Sequence, residues 1–272
     1  MAMIKRTFIS VTRSSPGLRK ILWKQLYQLI GRFYRNAEWT FMNYGFASLG
    51  GGDAGLDLIP QDEPDRSFIQ LYHHVIAGET LRGKEVAEIG CGRGGGCSYM
   101  ARYLKPLSVC GIDLSENTVR YCRARHTIPS LSFEVGDSER LSLPNESVDV
   151  AVNVESSHCY PSMERFLAEI RRILRPGGTF HIADLRDNDR IEEFHACIGA
   201  SGMRIERRVD ITKNVIEAVR KDGGRRVALF YRTLPRPVAR YFKEFAGSEG
   251  TSIYEKLVHG KVLYFSYLLR KV

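Results

Sequence analysis

EVAEIGCGRGGG, residues 85–96, is a short apolar run with one acidic residue, Glu88, that empties into a glycine-rich turn. Gly90, Gly92 and Gly94 stand at alternate positions in that turn, and Ser98 to Leu104 beyond them reads as a helix. A strand, a glycine turn and a helix make a cradle for a cofactor. The glycines let the backbone approach a ligand closely, and the helix start offers N–H groups with no intrahelical partner. Dinucleotide enzymes use a similar turn, and Gly95 here completes a G-x-G-x-x-G spacing. The turn alone therefore leaves the cofactor open.

The segments downstream narrow the choice. VCGIDLS, residues 109–115, is an apolar strand ending in Asp113, where a second parallel strand would end beside the first. An acidic side chain at that place can accept hydrogen bonds from both hydroxyls of a ribose. FEVGDSERLSLPNESVDVAVNVESSHCY, residues 133–160, holds a strand running into Gly136-Asp137-Ser138, a Leu-Pro turn and the strand VDVAVNVE. The helix FLAEIRRIL, the turn RPGG and the strand TFHIADL follow over residues 166–185. This order predicts a doubly wound parallel sheet with strands near 85–89, 108–112, 131–135, 148–153 and 178–183. Helices are expected at about 97–104, 116–125 and 162–174. After Met203 come a strand, inserted helices and a final strand, KVLYFSYLLRK.

Taken as one ordered set, E-x-G-C-G-x-G, the acidic strand end, G-D-S and L-R-P-G-G resemble the class I S-adenosylmethionine-dependent methyltransferases. The resemblance implies a Rossmann-like α/β fold: a mostly parallel seven-stranded sheet closed by an antiparallel last strand. It implies S-adenosyl-L-methionine as cofactor. It also implies that Glu88 and the backbone of Gly90 and Gly92 cradle the methionine end, with Asn153 close to it. Asp113 would hold the ribose, Leu114 would touch the adenine, and Asp137 with Ser138 would take the adenine amino group. Helix capping is the structural alternative for Asp113 and Asp137, since each precedes a helix or turn.

The stretches DEPDRSFIQLYHH, NVESSHCYPSMERFLAEIRRILRPGG and HIADLR are similar to the phthiotriolone/phenolphthiotriolone dimycocerosates methyltransferase family, from about Phe41 onward. That likeness implies O-methylation of a hydroxyl on a hydrophobic small molecule, a lipid, polyketide or terpenoid-like product. Sterol and other terpenoid C-methyltransferases are more distantly similar, with a Glu and a His after the fourth strand. Where they read E-A-x-x-H, this chain has Glu155-Ser156-Ser157-His158, with the histidine three positions on rather than four.

Open α/β sheets bind ligands at the carboxyl ends of their strands, which puts Asn153 to Tyr160 beside the reacting methyl. Methyl transfer asks mainly for in-line positioning, but an alcohol acceptor must also lose a proton, and an imidazole can take it. His158 is the candidate base. Glu155 has three candidate tasks: orienting that imidazole, holding the substrate, or stabilising a carbocation in an alkene C-methylation. His181, mid-strand, reads as structural, and Asp184 as a polar group at the end of its strand. A non-catalytic cofactor-binding partner subunit is the alternative of a different class.

The net charge of +9 does not make this a nucleic-acid protein. Residues 1–35 carry Lys5, Arg6, Arg13, Arg19, Lys20, Lys24, Arg32 and Arg35 and no acidic residue, so the rest of the chain is close to neutral. Leu18, Leu22, Leu26, Leu29 and Phe33 recur at helical spacing in that segment, predicting an amphipathic helix from Pro16 to Arg35. Three readings of it compete: a helix packed on its own domain, a cap or helix exchanged in a homo-oligomer, and a membrane-surface helix. The chain thus divides into a basic helical extension over 1–40 and a methyltransferase domain over 41–272, with a helical cap over about 213–258. The cap aromatics Phe230, Tyr231, Tyr241, Phe242, Phe245 and Tyr254 are candidates to roof an apolar pocket. Glycines 50–52 read as a lid-like loop. Tyr44 and Tyr72 read as packing residues near the methyl donor.

Six scattered cysteines without a C-x-x-C pair read as buried thiols of a cytoplasmic protein rather than disulfides. No carboxylate and histidine cluster has the spacing of a metal site.

Overall fold

Val86 and Glu88 face one way along the first strand and Ala87 and Ile89 the other, and both faces are covered by helices. The structure, a computed structural model, describes residues 39–50, 55–233, 236, 239–240, 243 and 247–272. The expected helix over 16–35, the glycines at 51–52 and the aromatics Tyr241, Phe242 and Phe245 lie outside the described residues.

Helix α1 (Arg66–Ile76) precedes strand β1 (Glu85–Ile89). Then follow α2 (Gly95–Tyr99), β2 (Ser108–Asp113), α3 (Glu116–Arg125), β3 (Leu131–Val135) and β4 (Val148–Val154). The chain continues through α4 (Met163–Ile173), β5 (Leu174–Asp187), α5 (Ile191–Gly199) and β6 (Arg204–Asp210). It ends with α6 (Thr212–Thr233), α7 (Ser252–Val258) and β7 (Val262–Arg270). The seven strands lie in the order β3-β2-β1-β4-β5-β7-β6. Strands β1 to β5 pair in parallel, and β7 runs antiparallel between β5 and β6. The expected Rossmann-like sheet is the sheet found.

Chain order reverses between β1 and β4. Val86 pairs with Val109 of β2 on one side and Val150 of β4 on the other. A crevice opens at the carboxyl ends of strands flanking such a switch point. Under one face of the sheet, Phe68, Leu71, Tyr72 and Val75 of α1 pack with Val86, Val150 and Val152. Under the other, Phe166, Leu167, Ile170 and Ile173 of α4 pack with Ala87, Ile89, Ala151 and Phe180. The helical i, i+4, i+7 spacing of the α4 residues meets the two-residue period of the strands, which is the physical basis of the layered fold.

Two elements differ from expectation. The helix after the glycine turn begins at Gly95 rather than 97, and its second half, Met100–Leu104, is a π-helical turn. Packing overrides the poor helix propensity of glycine here: a Cβ on Gly95 would lie 2.7 Å from the Phe41 ring, and one on Gly96 2.1 Å from the Tyr72 ring. Strand β5 is also longer than predicted and takes in the RPGG segment expected as a turn, with Gly177 at φ +77°. A register shift between Val148 and Val150 absorbs the irregularity. Asp184, expected at a strand end, lies inside β5 because the strand runs on to Asp187 in its pairing with β7.

All six cysteines are free thiols, four of them buried. No helix of the described residues is long and apolar enough to cross a membrane.

Candidate active site

A cavity of about 270 Å³ opens at the switch point. Its floor is the glycine turn. Gly90 has φ +73°, and a Cβ there would lie 2.3 Å from Ser156 Oγ and 2.6 Å from the Tyr160 hydroxyl, so only glycine fits. Gly92 and Gly95 also line the cavity, as do Asp113, Leu114 and Ser115 after β2 and Gly136, Asp137 and Ser138 after β3. Glu155, Ser156, His158 and Tyr160 come from the loop after β4, and Trp39 to Tyr44 and Arg226 with Phe230 of α6 complete the walls.

Asp113 ends β2 with its carboxylate already anchored. Its Oδ2 accepts from Gly92 N at 3.1 Å and its Oδ1 from Ser115 N at 2.9 Å. Burial nevertheless pushes its pKa up to about 6, against the pull of those two N–H groups. The capping of α3 falls to Ser115, whose Oγ accepts from Thr118 N at 3.3 Å. Asp137 accepts from Glu139 N at 3.1 Å in an Asx turn and still lines the cavity.

Two of the expected cofactor residues sit behind the wall rather than in it. Glu88 is fully buried on β1, where its carboxylate accepts from the Tyr72 hydroxyl at 2.6 Å and Cys97 Sγ at 2.8 Å. Burial raises its pKa to about 7, with those two bonds opposing the rise. Asn153, also fully buried, donates from Nδ2 to Ile89 O at 2.8 Å and Ser156 Oγ at 2.7 Å. Glu88 therefore ties β1 to α1 and α2, and Asn153 braces the end of β1 and the loop after β4.

His158 sits in a single 3-10 turn, Ser157–Cys159, just past β4. Its Nδ1 lies 2.8 Å from Asp184 Oδ1, and its backbone N–H donates to Asp184 Oδ2 at 2.8 Å. Asp184 has no exposed surface. It also accepts from Ser157 Oγ at 2.5 Å and pairs with Arg186 Nη1 at 3.1 Å. Burial alone would raise its pKa, but the His158 and Arg186 charges hold the carboxyl well below its ordinary value. Burial likewise opposes charge on the His158 ring, and the Cys159 sulfur and Asp184 carboxylate outweigh it, leaving the imidazole pKa well above the ordinary value.

The contact that orients the imidazole is thus made by Asp184 and not by Glu155. Glu155 turns its Oε1 to Tyr44 N at 2.7 Å and the Tyr264 hydroxyl at 3.0 Å. It is a non-glycine residue at φ +49°, a strained conformation that costs about 1–3 kcal/mol and clusters at functional sites. Burial raises its carboxyl pKa to about 7 against the Tyr44 bond, with the Asp184 charge adding to the rise.

Asp184 was legible only as a polar group. A carboxylate inside the apolar run HIADL has no low-cost burial without a partner, and that signal points to a buried ion pair. His181 is structural as expected, with Nδ1 2.9 Å from Val75 O. Tyr44 and Tyr72 do more than pack: both line the cavity, and each engages a buried carboxylate. Of the cap aromatics within the described residues, Phe230 lines the cavity and Tyr231 is 45% exposed.

The family described as Methyltransferase domain matches residues 87–182, the span from β1 into β5. Phthiotriol/phenolphthiotriol dimycocerosates methyltransferase of Mycobacterium tuberculosis (strain ATCC 25618 / H37Rv) is 37% identical over 273 residues, covering 100% of both chains. The chain belongs to this family of S-adenosylmethionine-dependent methyltransferases. The likeness takes in the N-terminal segment as well, beyond the Phe41 start expected from the motifs.

A fatty-acid O-methyltransferase of Mycolicibacterium smegmatis is 33% identical over 248 residues, covering 91% of this methyltransferase and 89% of the relative. Among solved structures, the [4+2]-cyclase SpnF superposes with a TM-score of 0.68 at 19% identity, over 91% of this chain and 94% of that one. That likeness speaks for the fold alone. The cofactor of this methyltransferase is S-adenosylmethionine, and the cradle suits it. The glycine turn leaves no side chain in the way, and Asp113 presents a carboxylate at the end of β2.

Proposed function

We propose that this methyltransferase O-methylates a hydroxyl on a hydrophobic, lipid-like acceptor, with His158 as general base and Asp184 as its positioning residue. The carrying observation is the 2.8 Å contact from His158 Nδ1 to Asp184 Oδ1 at the wall of the cavity. With Nδ1–H donating to the carboxylate, the neutral ring bears its lone pair on Nε2. The two relatives are named for lipid acceptors, and one of them for transfer to oxygen.

S-adenosylmethionine supplies an electrophilic methyl group on a sulfonium. The chain has then to hold the donor, bring an oxygen in line with it and take a proton. For the first task, Gly90 and Gly92 receive the methionine end, Asp113 the ribose hydroxyls, and Leu114, Asp137 and Ser138 the adenine. Glu88 acts through the helices it ties to β1, and Asn153 through the loop after β4 that it braces. For the second, Trp39, Phe41 and Phe230 give an apolar wall that suits a greasy chain. For the third, the hydroxyl proton passes to His158 Nε2 as the oxygen attacks, and the ionised Asp184 stabilises the imidazolium that forms.

Glu155 supports a second reading. A carboxylate of pKa about 7 at the cavity wall suits stabilisation of a carbocation during methylation of an alkene carbon. Incubating the enzyme with methyl-deuterated S-adenosylmethionine and a lipid extract of its host, then locating the label by NMR, separates the two. Label on oxygen supports the His158 reading, and label on carbon overturns it in favour of Glu155.

A further inference from the structure

The mechanism above makes no use of the charge carried by the helical cap. Residues 220–243 hold eight basic side chains and a single acidic one, Asp222. Outside this segment and residues 1–35, acidic residues outnumber basic ones, so the positive charge of the chain is concentrated in two places. In the first half of the cap segment the charge is neutralised within the protein. Arg220 pairs with Glu217 at 3.2 Å, Lys221 with Glu217 at 3.7 Å and Arg225 with Asp65 at 3.1 Å. In the second half it is not. Arg236 and Arg240 are exposed, Lys243 is half-buried, and among the described residues no carboxylate pairs with any of the three.

Positions 236, 239, 240 and 243 are helical. Steps of four and three along the helix put Arg236, Arg240 and Lys243 on one face. Ala239 is fully buried, so the helix is packed on the protein while Arg236 and Arg240 face out. Like charges at that spacing repel and weaken a helix, and no carboxylate of the described residues offsets the cost. An external anionic surface does offset it. The place of the face favours a lipid surface. Phe230 of α6 lines the cavity with its ring edge-on to Trp39 at 5.3 Å. The next two residues, Tyr231 and Arg232, are exposed. A wall of the cavity and the outward basic face thus belong to consecutive parts of one segment, and a lipid-like acceptor has to leave a bilayer to reach that wall. A tyrosine beside an arginine suits the headgroup layer, with the ring at the apolar boundary and the charge toward phosphate.

We propose that the helical cap docks this methyltransferase onto an anionic lipid surface through Arg236, Arg240 and Lys243, with Tyr231 at the boundary, so that the acceptor enters the cavity from the bilayer. This rests on the reading of the acceptor as lipid-like, but its test reads partitioning and not transfer. Failure of the His158 assignment, or of oxygen as the acceptor atom, therefore leaves the test intact.

The experiment is co-sedimentation of the full chain with vesicles of phosphatidylcholine alone and of phosphatidylcholine mixed with phosphatidylglycerol. Wild type is expected to bind the anionic vesicles about 100-fold or more tighter than the neutral ones, and to lose that preference as salt is raised to ~1 M. Combining Arg236→Gln, Arg240→Gln and Lys243→Gln should weaken binding to the anionic vesicles by about 100-fold, as the loss of three surface charges gives. S-adenosylhomocysteine affinity of that variant should stay within about twofold of wild type. Neutralising Lys105, Arg120 and Arg125, exposed residues outside the cap, should change vesicle binding by no more than about threefold. Equal binding of wild type to both vesicles overturns the proposal, and that comparison stands even if the cap variant fails to fold. So does a folded cap variant that binds the anionic vesicles as wild type does, or a control variant that loses as much as the cap variant. Tighter binding to a DNA duplex than to the anionic vesicles, at equal salt and phosphate, overturns it in favour of nucleic acid.

Discussion

Asp184 holds His158 at two points, accepting from the backbone N–H through Oδ2 and facing the ring Nδ1 through Oδ1, each at 2.8 Å. The double contact joins β5 to the loop after β4, so the position of the imidazole is set by the sheet and not by the loop alone. Arg186 and Ser157 complete the coordination of the carboxylate. A buried carboxylate with that many partners stays ionised, and an ionised carboxylate raises the basicity of the ring it touches.

Asp184→Asn should therefore shift the acid limb of the kcat/KM profile. In wild type the rate rises with pH through a pKa above the ordinary imidazole value, because His158 must lose its proton before it can accept another. Without the carboxylate charge that limb moves to lower pH, and the plateau falls by about 10²-fold or more as the ring loses its orientation. A purely structural Asp184 would lower the plateau and leave the limb in place.

Glu155→Gln is expected to change stability with a definite sign. The folded-state pKa of about 7 lies above the ordinary carboxyl value, so the folded protein binds the extra proton between the two. Stability contributed through this group is present below the unfolded pKa and is lost as pH rises through about 7. Glutamine can still accept from Tyr44 N and the Tyr264 hydroxyl. Denaturant unfolding should find wild type and variant alike near pH 4 and the variant more stable at pH 8, by ~2 kcal/mol. Equal stability at both pH values would contradict the buried, strained carboxylate described above.

Cofactor binding should depend on the ionisation of Asp113. A protonated Asp113 is a poorer acceptor for ribose hydroxyls, so S-adenosylhomocysteine affinity should fall as pH drops below about 6 and stay flat above it. Asp113→Asn should remove that dependence and weaken binding by roughly 10-fold or more, the value of a charged hydrogen bond.

The sheet and the cofactor cradle were largely legible in the sequence, and the reason is local. EVAEIG, VCGID and VDVAVNV are apolar runs of strand length, each ending in a turn residue, and their order fixes the winding. The helix start at Gly95 was not legible, because the rings of Phe41 and Tyr72 that require it are distant in sequence. The same holds for the site. Glu155 and His158 announce themselves as polar residues after an apolar strand. The Asp184 contact spans 26 residues, and Arg226 reaches Phe41 O across 185, so neither pairing leaves a trace in local periodicity.

Gly90→Ala tests the cradle itself. The added methyl meets Ser156 Oγ and the Tyr160 hydroxyl, and the φ of +73° disfavours any side chain. The variant should lose about 1–3 kcal/mol of stability and, in thermal-shift titration, most of its response to S-adenosylhomocysteine. An undiminished response would place the cofactor away from the glycine turn.

The most direct test of the account is single-turnover methyl transfer by His158→Gln, measured beside S-adenosylhomocysteine affinity on the same preparation. The account predicts a rate loss of about 10²–10⁴-fold, with cofactor affinity within about twofold of wild type. Transfer at close to the wild-type rate, with the cofactor still bound, would contradict it and remove His158 from the chemistry.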